Sequence, residues 1–205
     1  MVICSSDRRL FHAARGAMNA NTSLELTNQI LSELNATINA VDSESLERLV
    51  EEIIRAKRVF CLGAGRSGIM LQAFCMRLNH LGVMAFMAGG LPCPPVEAGD
   101  LIVAASGSGT TRSVVSVLDK GKAAGARLVL FTSSESQTLS IEADVTVFIP
   151  APSRLVNDGS PVSRQPMRTL FEQAFFLLCE AVICRLIDRK GIREEDMAKR
   201  HANLE

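Results

Sequence analysis

Apolar residues first fall into a regular pattern at Thr22. Thr22 and Glu25 stand three apart, as a capping box requires, and Leu24, Ile30, Leu31, Leu34 and Ile38 follow at helical spacing. Asp42 and Ser43 offer a second helix cap ahead of Leu46, Leu49, Val50, Ile53 and Ile54. From Arg58 the pattern changes. Short apolar runs at 59–62, 83–88, 101–105, 128–131 and 145–149 read as strands. Helical patterns over 69–81 and 112–124 stop at Gly82 and Gly125. A short helix is expected near Leu139, and a loop spans 150–166. Pro166 suits the first turn of a long helix that reaches Lys190 before Gly191, and a short terminal helix follows.

Strands this apolar along their whole length are buried on both faces, and their alternation with helices predicts an α/β fold. Right-handed crossovers then favour a doubly wound sandwich around a five-stranded parallel sheet. Residues 1–21 show no clear period and are expected to form a loose tail, with Met18 an alternative start to Met1. Residues 22–205 are expected to form one domain with flanking helices.

Charge changes this picture little. Lys plus Arg and Asp plus Glu both number 22, so no basic excess points to nucleic acid, and little repulsion opposes self-association. Asp7, Arg8 and Arg9 stand where a secretory signal would be apolar, and Glu180 and Arg185 interrupt the most apolar stretch. No membrane partner is therefore expected. The cysteines show no C-x-x-C spacing, which disfavours zinc; Cys61, Cys75, Cys179 and Cys184 sit in apolar stretches, as in a reducing cytoplasm. The helix ending near Lys190 is apolar around much of its circumference, so it is either central in its own domain or buried against another subunit. With other helices available to cover the sheet, a homo-oligomer is expected.

Ligands of such sheets bind at the carboxyl ends of the strands. Three strand ends are rich in Gly, Ser and Thr: 63–68, 106–111 and 132–134. Glycines let the backbone approach an anion, and hydroxyls and helix-start N–H groups donate to it. Gly63-Ala64-Gly65-Arg66-Ser67-Gly68 matches a dinucleotide fingerprint. That chemistry also wants an acidic residue about 20 positions on, and no Asp or Glu lies between Glu52 and Glu97. A tight turn with glycines for packing is the alternative. Ser106-Gly107-Ser108-Gly109-Thr110-Thr111 gathers four hydroxyls at one helix start and reads as an anion site.

These loops resemble the sugar isomerase (SIS) domain. Three further segments, Met76-Arg77-Leu78-Asn79-His80-Leu81-Gly82, Gln165-Pro166-Met167 through Leu170-Phe171-Glu172-Gln173, and Arg200-His201-Ala202-Asn203-Leu204-Glu205, are similar to the 6-phospho-3-hexuloisomerase family. The resemblance implies a flavodoxin-like fold, a phosphosugar substrate, no cofactor, no metal, and a tetramer built from dimers. It implies phosphate binding by Ser67, Ser106, Ser108 and Thr111, with Gly65 and Arg66 in the substrate's vicinity. It implies acid–base roles for Glu172 and His201, and a polar role near the site for His80. Because a terminal histidine needs a docked tail, His201 is expected to complete a neighbouring subunit's site. Two departures bear on the sugar end: Thr110 stands where the family has Glu, and Gly90-Leu91-Pro92 where it has Gly-Glu-Thr. Isomerases of pentose or heptose phosphates, and a sugar-phosphate-binding regulator, remain alternatives. For a regulator, the segment before residue 58 is short for a DNA-binding module.

Overall fold

The computed structural model describes residues 22–134, 141–151 and 163–203. The expected tail, the helix near Leu139 and most of the 150–166 loop lie outside the described residues. Helices α1 (Ser23–Asn39) and α2 (Ser43–Arg55) lead into β1 (Val59–Gly63), α3 (Gly65–His80), β2 (Ala85–Met87), β3 (Leu101–Ala105), α4 (Arg112–Ala123), β4 (Arg127–Thr132), β5 (Val145–Phe148), α5 (Thr169–Lys190) and α6 (Glu194–Ala198). Thr22 and Glu25 form the capping box at the start of α1, and Asp42 caps α2.

The strands pair in parallel in the order β2-β1-β3-β4-β5. Alternate residues along each strand enter two cores. Val59, Cys61, Val103, Val129 and Phe131 face the core shared with α1, α2, α3 and α5, whereas Phe60, Leu62, Ile102, Leu128 and Leu130 face the core under α4. The chain order reverses between β1 and β3. The crevice outside their carboxyl ends is the ligand position of this topology.

Helix α5 lies at the centre of the larger core. Phe171, Phe175, Leu178, Cys179, Val182, Ile183 and Leu186 are buried, and α1, α2 and α3 pack against it. Its apolarity is thus accounted for within the chain, and the expected oligomer loses that support.

Two helix starts differ from expectation. Helix α3 begins at Gly65, not Ile69, so Arg66 and Ser67 lie in its first turn. Helix α5 begins at Thr169, not Pro166, because Met167 takes a left-handed backbone conformation with φ of 56°. A side chain there is strained. The later start puts Glu172 in the first helical turn.

Candidate active site at the carboxyl edge of the sheet

Glycine shapes the turn from β1 into α3. A Cβ on Gly68 would lie 2.7 Å from the Gly63 carbonyl oxygen, and Gly65 has φ of +56°. Closeness of strand and helix therefore requires glycine at 68, and backbone conformation favours it at 65. The turn delivers Arg66 to the surface and Ser67 to a buried position.

The β3–α4 loop is organised by its own hydroxyls. Ser106 Oγ lies 2.9 Å from Thr111 Oγ1, and Ser108 Oγ lies 3.4 Å from the same atom. The Gly109 amide donates to the Ser106 carbonyl at 2.9 Å. Thr111 is the N-cap of α4, yet its side chain makes no capping bond. The first N–H groups of α4 thus have no side-chain cap, and an anion can take that place. Ser106 is buried, whereas Ser108 and Thr111 are half-buried at the rim.

The start of α5 closes the edge. Arg66 of α3 donates from Nε to Glu172 Oε2 of α5, forming an ion pair with a Glu172 side chain only 13% exposed. This pair was not foreseen, because the two residues are 106 positions apart in sequence. Arg168 was not singled out either. Its Nη1 donates to Ser133 Oγ at 3.1 Å, and Ser133 Oγ donates to the Gly107 carbonyl at 2.8 Å. A Cβ on Gly107 would lie 3.0 Å from Arg168 Cδ, so the arginine packs against the hydroxyl loop. The segment entering α5 is anchored by Glu33 of α1. Glu33 accepts from Ser163 Oγ at 2.5 Å, from the Arg164 amide at 3.0 Å and from Gln165 Nε2 at 3.2 Å. The run of Arg and Thr between Pro166 and the apolar helix was the sequence signal for Arg168; it reads as an ordinary helix start until the tertiary contact is known.

His80 and His201 lie together elsewhere. His80 is buried at the last turn of α3, and His201 stacks on it with 5.2 Å between ring centroids. Arg200 docks the tail: its Nη1 donates to the His80 carbonyl at 3.2 Å, and a Cβ on Gly82 would lie 3.2 Å from its guanidinium carbon. Helix α3 runs back from the carboxyl edge, so this histidine pair sits at the opposite edge. Thirteen residues of helix from Ser67 to His80 span about 20 Å. Ser67, Arg66 and Glu172 thus gather at one end of α3, and His80 and His201 at the other.

Among the described residues, no group of three His, Cys, Asp or Glu could hold a metal ion, and no helix is long and apolar enough to cross a membrane.

Comparison with known proteins agrees with this fold. The SIS domain family model matches residues 52–176. A 3-hexulose-6-phosphate isomerase of Mycobacterium gastri is 42% identical over 86% of this chain and 88% of its own. One of Bacillus subtilis is 35% identical over 88% and 98%. A solved structure from Methanococcus jannaschii, described as inferring the function of 3-hexulose-6-phosphate isomerase, superposes with a TM-score of 0.70 at 30% identity, covering 88% of this chain and 97% of that one. Matched by the SIS domain model over residues 52–176 and by these relatives over most of its length, the chain belongs to the SIS domain family and, within it, to the 6-phospho-3-hexuloisomerase family.

Proposed function

We propose that the protein is a metal-independent isomerase that interconverts hex-3-ulose 6-phosphate and fructose 6-phosphate through an enediolate. One observation carries this reading: a carboxylate and a hydroxyl cradle share the carboxyl edge of the sheet. Glu172 is held there by Arg66, while Ser106, Ser108 and Thr111 cluster at an uncapped helix start and Ser67 opens α3. The relatives named as 3-hexulose-6-phosphate isomerases support the choice of sugar.

The phosphate binds Ser67, Ser106, Ser108, Thr111 and the first amides of α4. This remote anchor orients the reacting carbons. Glu172 removes the proton from C2 of the 3-keto sugar, and the electron pair forms the C2–C3 double bond of the enediolate. The same carboxyl group returns the proton to C3, while the proton on O2 passes to O3 as the carbonyl forms at C2. The carbonyl moves within one molecule, so no redox cofactor is consumed. Arg66 fixes one oxygen of Glu172 and adds positive charge where the enediolate oxygens develop.

The oxygen-to-oxygen proton transfer suits an imidazole, and His201 is assigned to it with His80 behind it. Their distance from Glu172 within the chain supports supply from a second subunit. Ile69 and Met76 are 60% and 53% exposed, one heptad apart on α3. Antiparallel pairing of two copies of α3 about the midpoint of that stripe sets Gly65 opposite His80 and Arg66 opposite Asn79. Each site then combines Glu172 of one subunit with the histidine pair of the other. We extend this dimer to a tetramer, with residues 22–205 acting as one SIS unit in each subunit. The free thiols of Cys61, Cys75 and Cys179 suit a reducing cytoplasm.

The test is incubation of EDTA-treated protein with fructose 6-phosphate, followed by product analysis. Hex-3-ulose 6-phosphate is the expected product. Turnover only of pentose or heptose phosphates, or binding without turnover, would replace this reading with another sugar isomerase or a regulator.

A further inference from the structure

A phosphate monoester brings up to two negative charges into a cradle of neutral hydroxyls and amides. We propose that Arg168 is the cation that answers that charge. The inference rests on the phosphosugar reading above and adds a residue to the same site. Three observations carry it. First, the Arg168 side chain packs against Gly107, the residue between Ser106 and Ser108 in the hydroxyl loop. A Cβ on Gly107 would be 3.0 Å from Arg168 Cδ and 3.4 Å from Nη1. Second, Arg168 is half-buried and forms no ion pair among the described residues; its bond is to the Ser133 hydroxyl. Arg58, also half-buried, has Asp100, and even the more exposed Arg66 and Arg127 have Glu172 and Glu52. A guanidinium drawn out of water without a counter-charge is costly, and a bound phosphate supplies one. Third, its position is imposed. Met167 carries a left-handed backbone, and Glu33 holds Ser163, Arg164 and Gln165 just upstream.

Ser133 accepts from Arg168 and donates to the Gly107 carbonyl, so it joins this arginine to the β3–α4 loop. The guanidinium keeps further N–H groups, and two of them match a pair of phosphate oxygens. Arginine here also favours the dianion over the monoanion, because the second phosphate pKa lies near 6.

The test uses the full chain and its Arg168→Met and Arg168→Lys variants, titrated with inorganic phosphate, fructose 6-phosphate and neutral fructose. Arg168→Met is expected to raise Kd for inorganic phosphate and fructose 6-phosphate by about ten-fold or more. It should leave any weak response to fructose unchanged. Arg168→Lys should fall between it and the unsubstituted protein. In kinetics KM should rise more than kcat falls, and the increase of KM below about pH 6 should flatten in Arg168→Met. A purely structural role for Arg168 would leave that pH profile intact. If Arg168→Met does not fold, Ser133→Ala decides, with an expected loss of phosphate affinity of several-fold. Unchanged phosphate affinity in Arg168→Met, or in Ser133→Ala where that variant decides, would overturn the inference and leave the isomerase reading standing. An unsubstituted protein that binds fructose 6-phosphate no better than fructose would overturn both.

Discussion

His201 stacks on His80 at the far end of the helix whose first turn carries Arg66, the ion-pair partner of Glu172. One helix therefore separates the two halves of the proposed acid–base machinery. Complementation reads this out. Glu172→Gln and His201→Ala homomers should each be nearly inactive. When the two are co-refolded in equal amounts, half the pairs are mixed, and each mixed pair has one intact site. Activity should return to about a quarter of the unsubstituted enzyme. No recovery in mixtures whose mixed pairs are verified by mass spectrometry would assign both residues to one subunit's site.

The hydroxyl cradle gives a separable outcome. Ser108 and Ser106 each lie beside Thr111 at the uncapped start of α4. A hydrogen bond to a charged group contributes about 1.5–3 kcal/mol, so Ser108→Ala should lower kcat/KM by about ten-fold or more, mainly through KM. Steady-state kinetics on both Ser106→Ala and Ser108→Ala checks it, and unchanged values in both would move the anion elsewhere.

The turn glycines have a packing role that can be measured. Gly68→Ala would press a methyl group against the Gly63 carbonyl. Overpacking of this kind costs about 1–3 kcal/mol. Thermal unfolding should show a lowered Tm, and KM should rise because Ser67 sits in the displaced turn. A variant as stable as the unsubstituted protein would show that the turn can relax.

Acid stability should depend on Asp100. Its side chain is fully buried against Arg58. Burial pushes the Asp100 carboxyl up, but the Arg58 hydrogen bonds, the Glu97 amide and the charges of Arg58 and Lys57 outweigh it, leaving the carboxyl below its usual range. Glu52 is lowered in the same direction by its hydrogen bonds from Arg127, against a smaller opposing effect of burial. A carboxyl lowered by folding adds stability above its unfolded pKa, and that stability fades as pH falls through the folded pKa. Asp100→Asn should therefore lower Tm by about 5 °C or more at pH 7. The gap from the unsubstituted protein should narrow below about pH 4. A gap independent of pH would assign the loss to packing alone.

The strands and their parallel pairing were legible because a sheet buried on both faces writes continuous apolar runs, as Val59 to Leu62 and Leu101 to Ala105 do. The hydroxyl loops were legible because strand ends in such folds are ligand positions. The start of α5 was not, because Pro166 satisfies the usual rule for a first helical turn and nothing local marks Met167 as left-handed. Arg66–Glu172 and Arg168–Ser133 join distant segments, so only tertiary structure reveals them. The separation of His80 from Ser67 could have been read from the sequence: thirteen residues of one helix place them at opposite edges of the sheet.

Solvent exchange tests the central claim most directly. Fructose 6-phosphate incubated in D2O with the enzyme, and followed by proton NMR, should lose its C3 proton signal as the enediolate forms and is reprotonated from solvent. With Glu172→Gln the exchange should fall by at least about 100-fold while circular dichroism stays unchanged. Exchange at the unsubstituted rate in folded Glu172→Gln would contradict an isomerase that works through Glu172.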